Sequence, residues 1–262
     1  MKKDVIFFKM RGGIRMKTEF DVSDISWETY KLMYNMYFSD GFQILNDKSR
    51  NYLYEQFVYE NKTSKKIRFS GETDFNFTDG WSYSRLQKYK KAITNPKVPA
   101  EYSVMYMKNL EILQKLNYSI VNISLMPQSG NLQSAKQGIG NDRLDTFVWA
   151  LDEYYNGRNI IMNHSSYDNV SGLENYLGLF QSANNYCKAI YHINEELVDE
   201  LIISGSQAID TPERTICFMN LAIRFWNQKA AYLSSKIEKK PNLISQKLDE
   251  INTLMENLFK FK

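Results

Sequence analysis

The chain reads as an α+β protein that is predominantly α-helical, with a small sheet in its N-terminal half and a helical C-terminal half. Three observations predict this. Apolar and polar residues alternate with period two from Ile67 to Phe77, as on a half-buried strand. Met219, Ile223, Trp226, Ala230, Leu233 and Ile237 recur at spacings of four and three, as on the buried face of a long helix. Between them, residues 122–157 read as a buried strand, a polar glycine-containing loop and an amphipathic helix, with Gln133, Lys136, Asn141, Asp142, Arg143 and Asp145 crowded at the loop-to-helix junction.

Composition bounds the answer before any motif does. At 262 residues the chain can bury most of its apolar surface in one large core or two small ones, and 43% hydrophobic with 24% charged residues excludes general disorder. The net charge of +3 is too small to imply nucleic acid, so any such claim rests on local charge. No apolar run reaches the ~18 residues of a membrane span, and Val5–Phe8 is too short for a signal peptide, so the expected location is cytoplasmic. Cys187 and Cys217 lie in apolar helical patterns without CxxC or Cys/His spacing. They are expected as core thiols in a reducing compartment, and neither a metal site nor a cofactor is expected.

The elements follow in order. Arg11-Gly12-Gly13 just before Met16 resembles translated ribosome-binding codons, which makes Met1 and Met16 alternative starts and residues 1–15 an untranslated leader on the second. Phe20–Ser23 reads as extended, Trp27–Phe38 as aromatic-rich helix or loop, and Ser39-Asp40-Gly41 as a turn. The Ile67–Phe77 alternation predicts a strand, or a hairpin bent near Gly71. A basic helix follows over 82–93 and stops before Asn95-Pro96. A second helix starts after Pro99 with Tyr106, Leu110, Leu113 and Leu116 on its apolar face, then a strand over 118–125 that Pro127 ends. The central helix runs over 142–155 with Leu144, Phe147, Val148, Leu151 and Tyr155 in one stripe, and Gly157 stops it.

Residues 159–162 predict a short strand, and 171–206 two or three short helices separated near Asn184 and Asn194. Asp210-Thr211-Pro212-Glu213 starts the long helix, with a capping side chain and proline at the first helical position, running to about Lys239. After Pro241 a last helix, with Ile244, Leu248, Ile251, Met255 and Leu258, is too short for a coiled coil and is expected to pack back on the preceding one. The whole is read as one domain over 1–262, mixed over 17–157 and helical over 158–262. No signal of oligomeric state is present.

The central loop carries a resemblance. Asn131-Leu-Gln133-Ser-Ala-Lys136, then Ile139, then Asp142-Arg143-Leu-Asp145, and a helix ending in Tyr154-Tyr155, resembles a segment of an uncharacterised bacterial family with Asn-Gln-Ala-Arg-Gly, Ile, Asp-Arg-Phe-Asp and His-Tyr in that order. Phe20-Asp21-Val22-Ser23 is similar to that family's opening. Lys136 stands where the family has Arg, and Gln137 where it has Gly. The resemblance implies one domain built around this loop and implies no activity.

Physical chemistry weighs the same residues. Asp142 and Asp145 suit the positive end of a helix dipole and Arg143 opposes it, so Arg143 needs a partner. One reading is an internal ion pair to a carboxylate elsewhere in the chain. Another is an anion site, with Gln133, Lys136, Asn141 and Arg143 as ligand-binding residues around a phosphate. A third makes Asp142 and Asp145 the catalytic pair of a metal-dependent phosphodiesterase, and separately His164, beside Ser165 and Ser166, reads either as structural or as an acid–base group. His192 reads as packing. Residues 62–97 hold nine Lys and Arg against three Asp and Glu, and Arg85, Lys88 and Lys91 share a helix face near Trp81, Tyr83 and Tyr89. That pattern fits a solvated face or a nucleic-acid surface. The leading functional reading is a binding protein that recognises a phosphate-bearing partner, nucleic acid or nucleotide. The alternatives are an enzyme on a phosphorylated or nucleotide substrate, and a protein-binding module using the C-terminal helices.

Overall fold

The computed structural model describes residues 7–10, 13–16, 44–46, 57–60, 66–78, 100–127, 132, 135–136, 143–161, 170–236 and 243–258. Strands β1 (Phe7–Met10) and β2 (Gly13–Met16) form an antiparallel pair in which Phe7 faces Met16. A second, four-stranded antiparallel sheet has the order β3 (Ile44–Asn46), β4 (Phe57–Glu60), β5 (Lys66–Thr73), β6 (Ile123–Pro127). Seven α-helices lie among the described residues: α1 (Ala100–Lys115), α2 (Leu144–Tyr155), α3 (Val170–Gly178), α4 (Ala183–Ile190), α5 (Glu195–Gly205), α6 (Pro212–Lys236) and α7 (Leu243–Glu256). The fold is therefore mostly helical, with its sheet in the N-terminal half and helices throughout the C-terminal half.

Helix α6 is the spine. Phe218, Met219, Ala222, Phe225, Trp226, Ala230 and Leu233 are buried along one side, the period of a helix that presents a single face to the core. Phe75 and Phe77 meet that face, with ring centroids 5.3 Å from Phe218 and 5.8 Å from Trp226 respectively. Helix α7 packs on α6 and buries Leu248, Ile251 and Met255. The starts of α4, α5 and α6 are side-chain capped: Ser182, Asn194 and Thr211 accept from Asn185 N, Leu197 N and Arg214 N.

Two buried polar knots fix the sheet to the spine. Asn122 Oδ1 accepts from Phe75 N at 2.9 Å and from Trp226 Nε1 at 2.8 Å, while its Nδ2 donates to the carbonyls of Phe75 and Asn117 at 2.7 and 2.6 Å. All four hydrogen bonds of that amide are made. Lys229 is wholly buried, and its Nζ donates to Asp74 Oδ2 (2.9 Å), the Ile123 carbonyl (2.7 Å) and Ser124 Oγ (2.6 Å). Three ammonium protons have three acceptors, so the charge is buried with its partners.

These knots explain where the elements depart from the sequence pattern. Strand β5 ends at Thr73, and Asp74–Thr78 leave the ladder because Asn122 and Asn117 side chains take the backbone of Phe75 and Phe77. The alternation continues, yet Asp74 and Asn76 are buried as well as Phe75 and Phe77, since the segment is enclosed on both sides. Gly71 makes no hairpin; it pairs in register with Leu125. The strand expected over 118–125 opens as a 3₁₀ turn, Ile120–Asn122, and becomes extended only at Ile123.

Further along, the strand expected over 159–162 is replaced by helical Ile160 and Ile161, with Ile161 buried in the core. The break placed near Asn184 lies earlier, at Leu179–Ser182, and Asn184 is inside α4. Gly157 has φ +86° just past α2, the left-handed stop expected of it. The expectations for Phe20–Ser23, Trp27–Phe38, the turn at Ser39–Gly41 and the basic helix over 82–93 fall outside the described residues. Among the described residues no helix is long and apolar enough to cross a membrane.

Candidate functional site

Helix α2 begins at Leu144, with Arg143 in extended backbone at the N-cap position and no side-chain cap. Arg143 Nε and Nη2 grip Asp145 Oδ1 and Oδ2 at 3.0 and 2.6 Å, a two-pronged ion pair between residues two apart. The carboxylate accepts two more hydrogen bonds, from Thr146 N (2.9 Å) and Ser204 Oγ (2.7 Å). Arg143 also donates to the carbonyls of Gln207 (3.1 Å) and Ser204 (3.4 Å), and its guanidinium lies 5.7 Å from the Phe218 ring centroid.

This placement resolves an electrostatic oddity of the sequence. A cation at the start of α2 opposes that helix's dipole, but the same guanidinium reaches the Ser204 carbonyl in the last turn of α5 and the Gln207 carbonyl just past it, where positive charge is favourable. Arg143 therefore caps a helix other than its own, and Asp145 completes its solvation. The sequence requires a partner for Arg143, either a carboxylate elsewhere in the chain or a bound anion; the carboxylate it meets is the neighbour in the same turn.

Lys136 is also buried, and its Nζ donates to the Thr73 carbonyl. Gln133, Asn141, Asp142 and His164, and the basic Arg85, Lys88 and Lys91, lie outside the described residues. His192 is packed as expected, its ring stacked on Tyr232 at 3.7 Å. Among the described residues no three His, Cys, Asp or Glu side chains converge as a metal-binding group.

The open concavity lies next to the Arg143–Asp145 pair, between α5 and α6. It encloses about 700 Å³ and is lined from α5 and its exit by Glu200, Ile203, Ser204 and Gln207. From α6 come Arg214, Cys217, Asn220, Leu221, Arg224 and Asn227, residues spaced at three and four along the helix side opposite the core stripe. Leu221 and Ile223 are buried and form an apolar floor, and Ile203 is 63% exposed at the rim. Arg224 bridges the groove to Glu200, with Glu196 as a second partner at 3.5 Å. Among the described residues the exposed Arg214 guanidinium has no such partner.

Cys217 belongs to this surface, which corrects the expectation of two core thiols. Cys187 is buried and Cys217 is exposed. Residue 217 falls on the outward stripe of α6 because Phe218 and Met219 occupy the inward one. A sequence signal for the groove did exist: the second, amide- and arginine-bearing stripe at 214, 217, 220, 224 and 227. Comparison with protein-family models, curated proteins and solved structures finds no match.

Proposed function

We propose that this is a non-catalytic, cytoplasmic binding protein whose ligand is a nucleotide seated in the α5–α6 groove. The observation that carries the reading is a division of polar groups. The described charges of the central loop region, Arg143, Asp145 and Lys136, are committed to internal partners, whereas Arg214, Asn220 and Asn227 line an open groove. About 300–1,000 Å³ is the range of small-molecule sites, and an apolar floor with a few convergent polar groups is their usual lining. A base fits against Leu221 and Ile203, amides read its edge, and Arg214 takes phosphate by paired N–H donors.

Cys217 supplies the test. Thiol labelling of the native protein with a coloured disulfide reagent follows Cys217 alone, because Cys187 is enclosed and burial raises its thiol pKa. On this reading saturating ATP slows that labelling by at least about tenfold, as a ligand covering the thiol does. Protection by a single-stranded oligonucleotide but not by ATP moves the assignment to nucleic acid. Equal rates with and without either remove the groove as the site.

A further inference from the structure

We propose that Asp145 is the positioning residue of this groove, acting through Ser204 without touching the nucleotide. The inference rests on the groove reading above. Asp145 is fully buried on α2 and is not part of the groove lining. Ser204 is part of it, and its hydroxyl donates to Asp145 Oδ2 at 2.7 Å. Arg143, held by the same carboxylate, donates to the Gln207 carbonyl at 3.1 Å, and Gln207 is the next lining residue. One ion pair thus holds two wall residues from behind.

The other ends of the groove are tied differently. Asn194 and Gln228 exchange two hydrogen bonds, at 2.8 and 3.0 Å, where α5 begins, and Arg224 reaches Glu200 across the middle. Helix α6 is anchored to the sheet through Trp226 to Asn122 and Lys229 to Asp74. The last turn of α5 makes its own polar ties to α2. Gly205 leaves no slack there, since a Cβ on it would stand 2.0 Å from the Asp145 carbonyl oxygen. The distance between Ser204 and the Arg214–Cys217 side of the groove is therefore set by where Asp145 holds α5. Affinity for nucleotide depends on a carboxylate that the nucleotide never meets.

The test is a double-mutant cycle on binding of the fluorescent nucleotide mant-ATP, with Asp145→Asn, Ser204→Ala and the pair together. If Asp145 works through Ser204, each single change weakens binding about tenfold and the pair is no worse than either, because one linkage is lost only once. Ser204→Thr keeps the hydroxyl and binds within about twofold of the original chain. Multiplication to about a hundredfold in the pair, or unchanged binding in Ser204→Ala, overturns the proposal. Should Asp145→Asn fail to fold, Ser204→Ala against Ser204→Thr decides alone, and equal affinities overturn it. Absence of mant-ATP binding by the unmodified chain sinks the groove reading and this inference together; binding with an indifferent Ser204 sinks only this one.

Discussion

Gly205 of α5 faces the backbone carbonyl of Asp145 in α2 so closely that a Cβ at position 205 would lie 2.0 Å from that oxygen and 2.9 Å from Thr146 Cα. The obstructing atoms are backbone and cannot rotate away. Gly205→Ala must separate the two helices, and overpacking of this kind costs about 1–3 kcal/mol or more. Gly178→Ala is the control, because a Cβ there meets nothing within 4 Å. Urea unfolding is expected to show a lowered midpoint for the first and a change within about 1 kcal/mol for the second.

The Arg143–Asp145 pair makes a separate claim. Arg143→Ala leaves a buried carboxylate without its cation, a change that costs about 3–5 kcal/mol. Lysine keeps the charge but not the fork that meets both carboxylate oxygens, the Ser204 carbonyl in α5 and the Gln207 carbonyl just past it, so Arg143→Lys recovers less than half of that loss. Thermal unfolding of the three proteins checks the order. Full recovery in Arg143→Lys would mean that charge alone is required at the end of α5.

How much of this was legible in the sequence follows from what periodicity encodes. The α6 stripe and its Thr211-Pro212 start gave the spine directly, because a helix that buries one face must repeat its apolar residues at three and four. The dipole argument predicts that Arg143 needs a partner, without choosing between a carboxylate of the chain and a bound anion. It could not show that the guanidinium caps α5, since Ser204 and Gln207 are about sixty residues away in sequence and contribute backbone carbonyls, which any residue has. The end of β5 at Thr73 was hidden for a similar reason: Phe75 and Phe77 keep the strand alternation while side chains of Asn117 and Asn122 replace the neighbouring strand. Cys217 reads as a core thiol but is exposed, because α6 carries two stripes and both contain small or apolar residues.

Asp74 and Lys229 join the end of the sheet to the spine inside the core. Burial depresses the Lys229 pKa, and the Asp74 carboxylate opposes that shift. Lys229→Met is expected to cost about 3–5 kcal/mol by leaving Asp74 buried with Ser124 as its remaining partner. In that background Asp74→Asn costs far less than it does in the unmodified chain. Additive losses in a denaturant double-mutant cycle would show that the two residues do not act as a pair.

His192 has a distinct pH signature. Burial first, and then the nearby Lys229 charge, push its pKa down to about 3, against a smaller opposing hydrogen bond with the Lys188 backbone; Lys236 adds to the depression. The unfolded chain therefore binds the proton, at its ordinary pKa of about 6.5, over a range where the folded chain does not. The stability this residue contributes is complete above pH ~6.5 and is lost as pH falls towards about 3. His192 has φ +57°, which asparagine adopts readily, so His192→Asn removes the titration without forcing the backbone. The variant is expected to lose less stability between pH 7 and 4 by about 1 kcal/mol or more. An NMR titration in which the His192 ring protonates near pH 6.5 would overturn the assignment.

Arg214 is the proposed phosphate contact of a nucleotide in the α5–α6 groove. Fluorescence titration of mant-ATP against the unmodified chain and against Arg214→Glu tests it most directly, since residue 214 is exposed and its replacement leaves the core untouched. Binding is expected to saturate and to weaken by at least about tenfold in Arg214→Glu, from the loss of a charge-assisted phosphate contact together with the repulsion that replaces it. No saturation with the unmodified chain, or the same dissociation constant in both proteins, would contradict it.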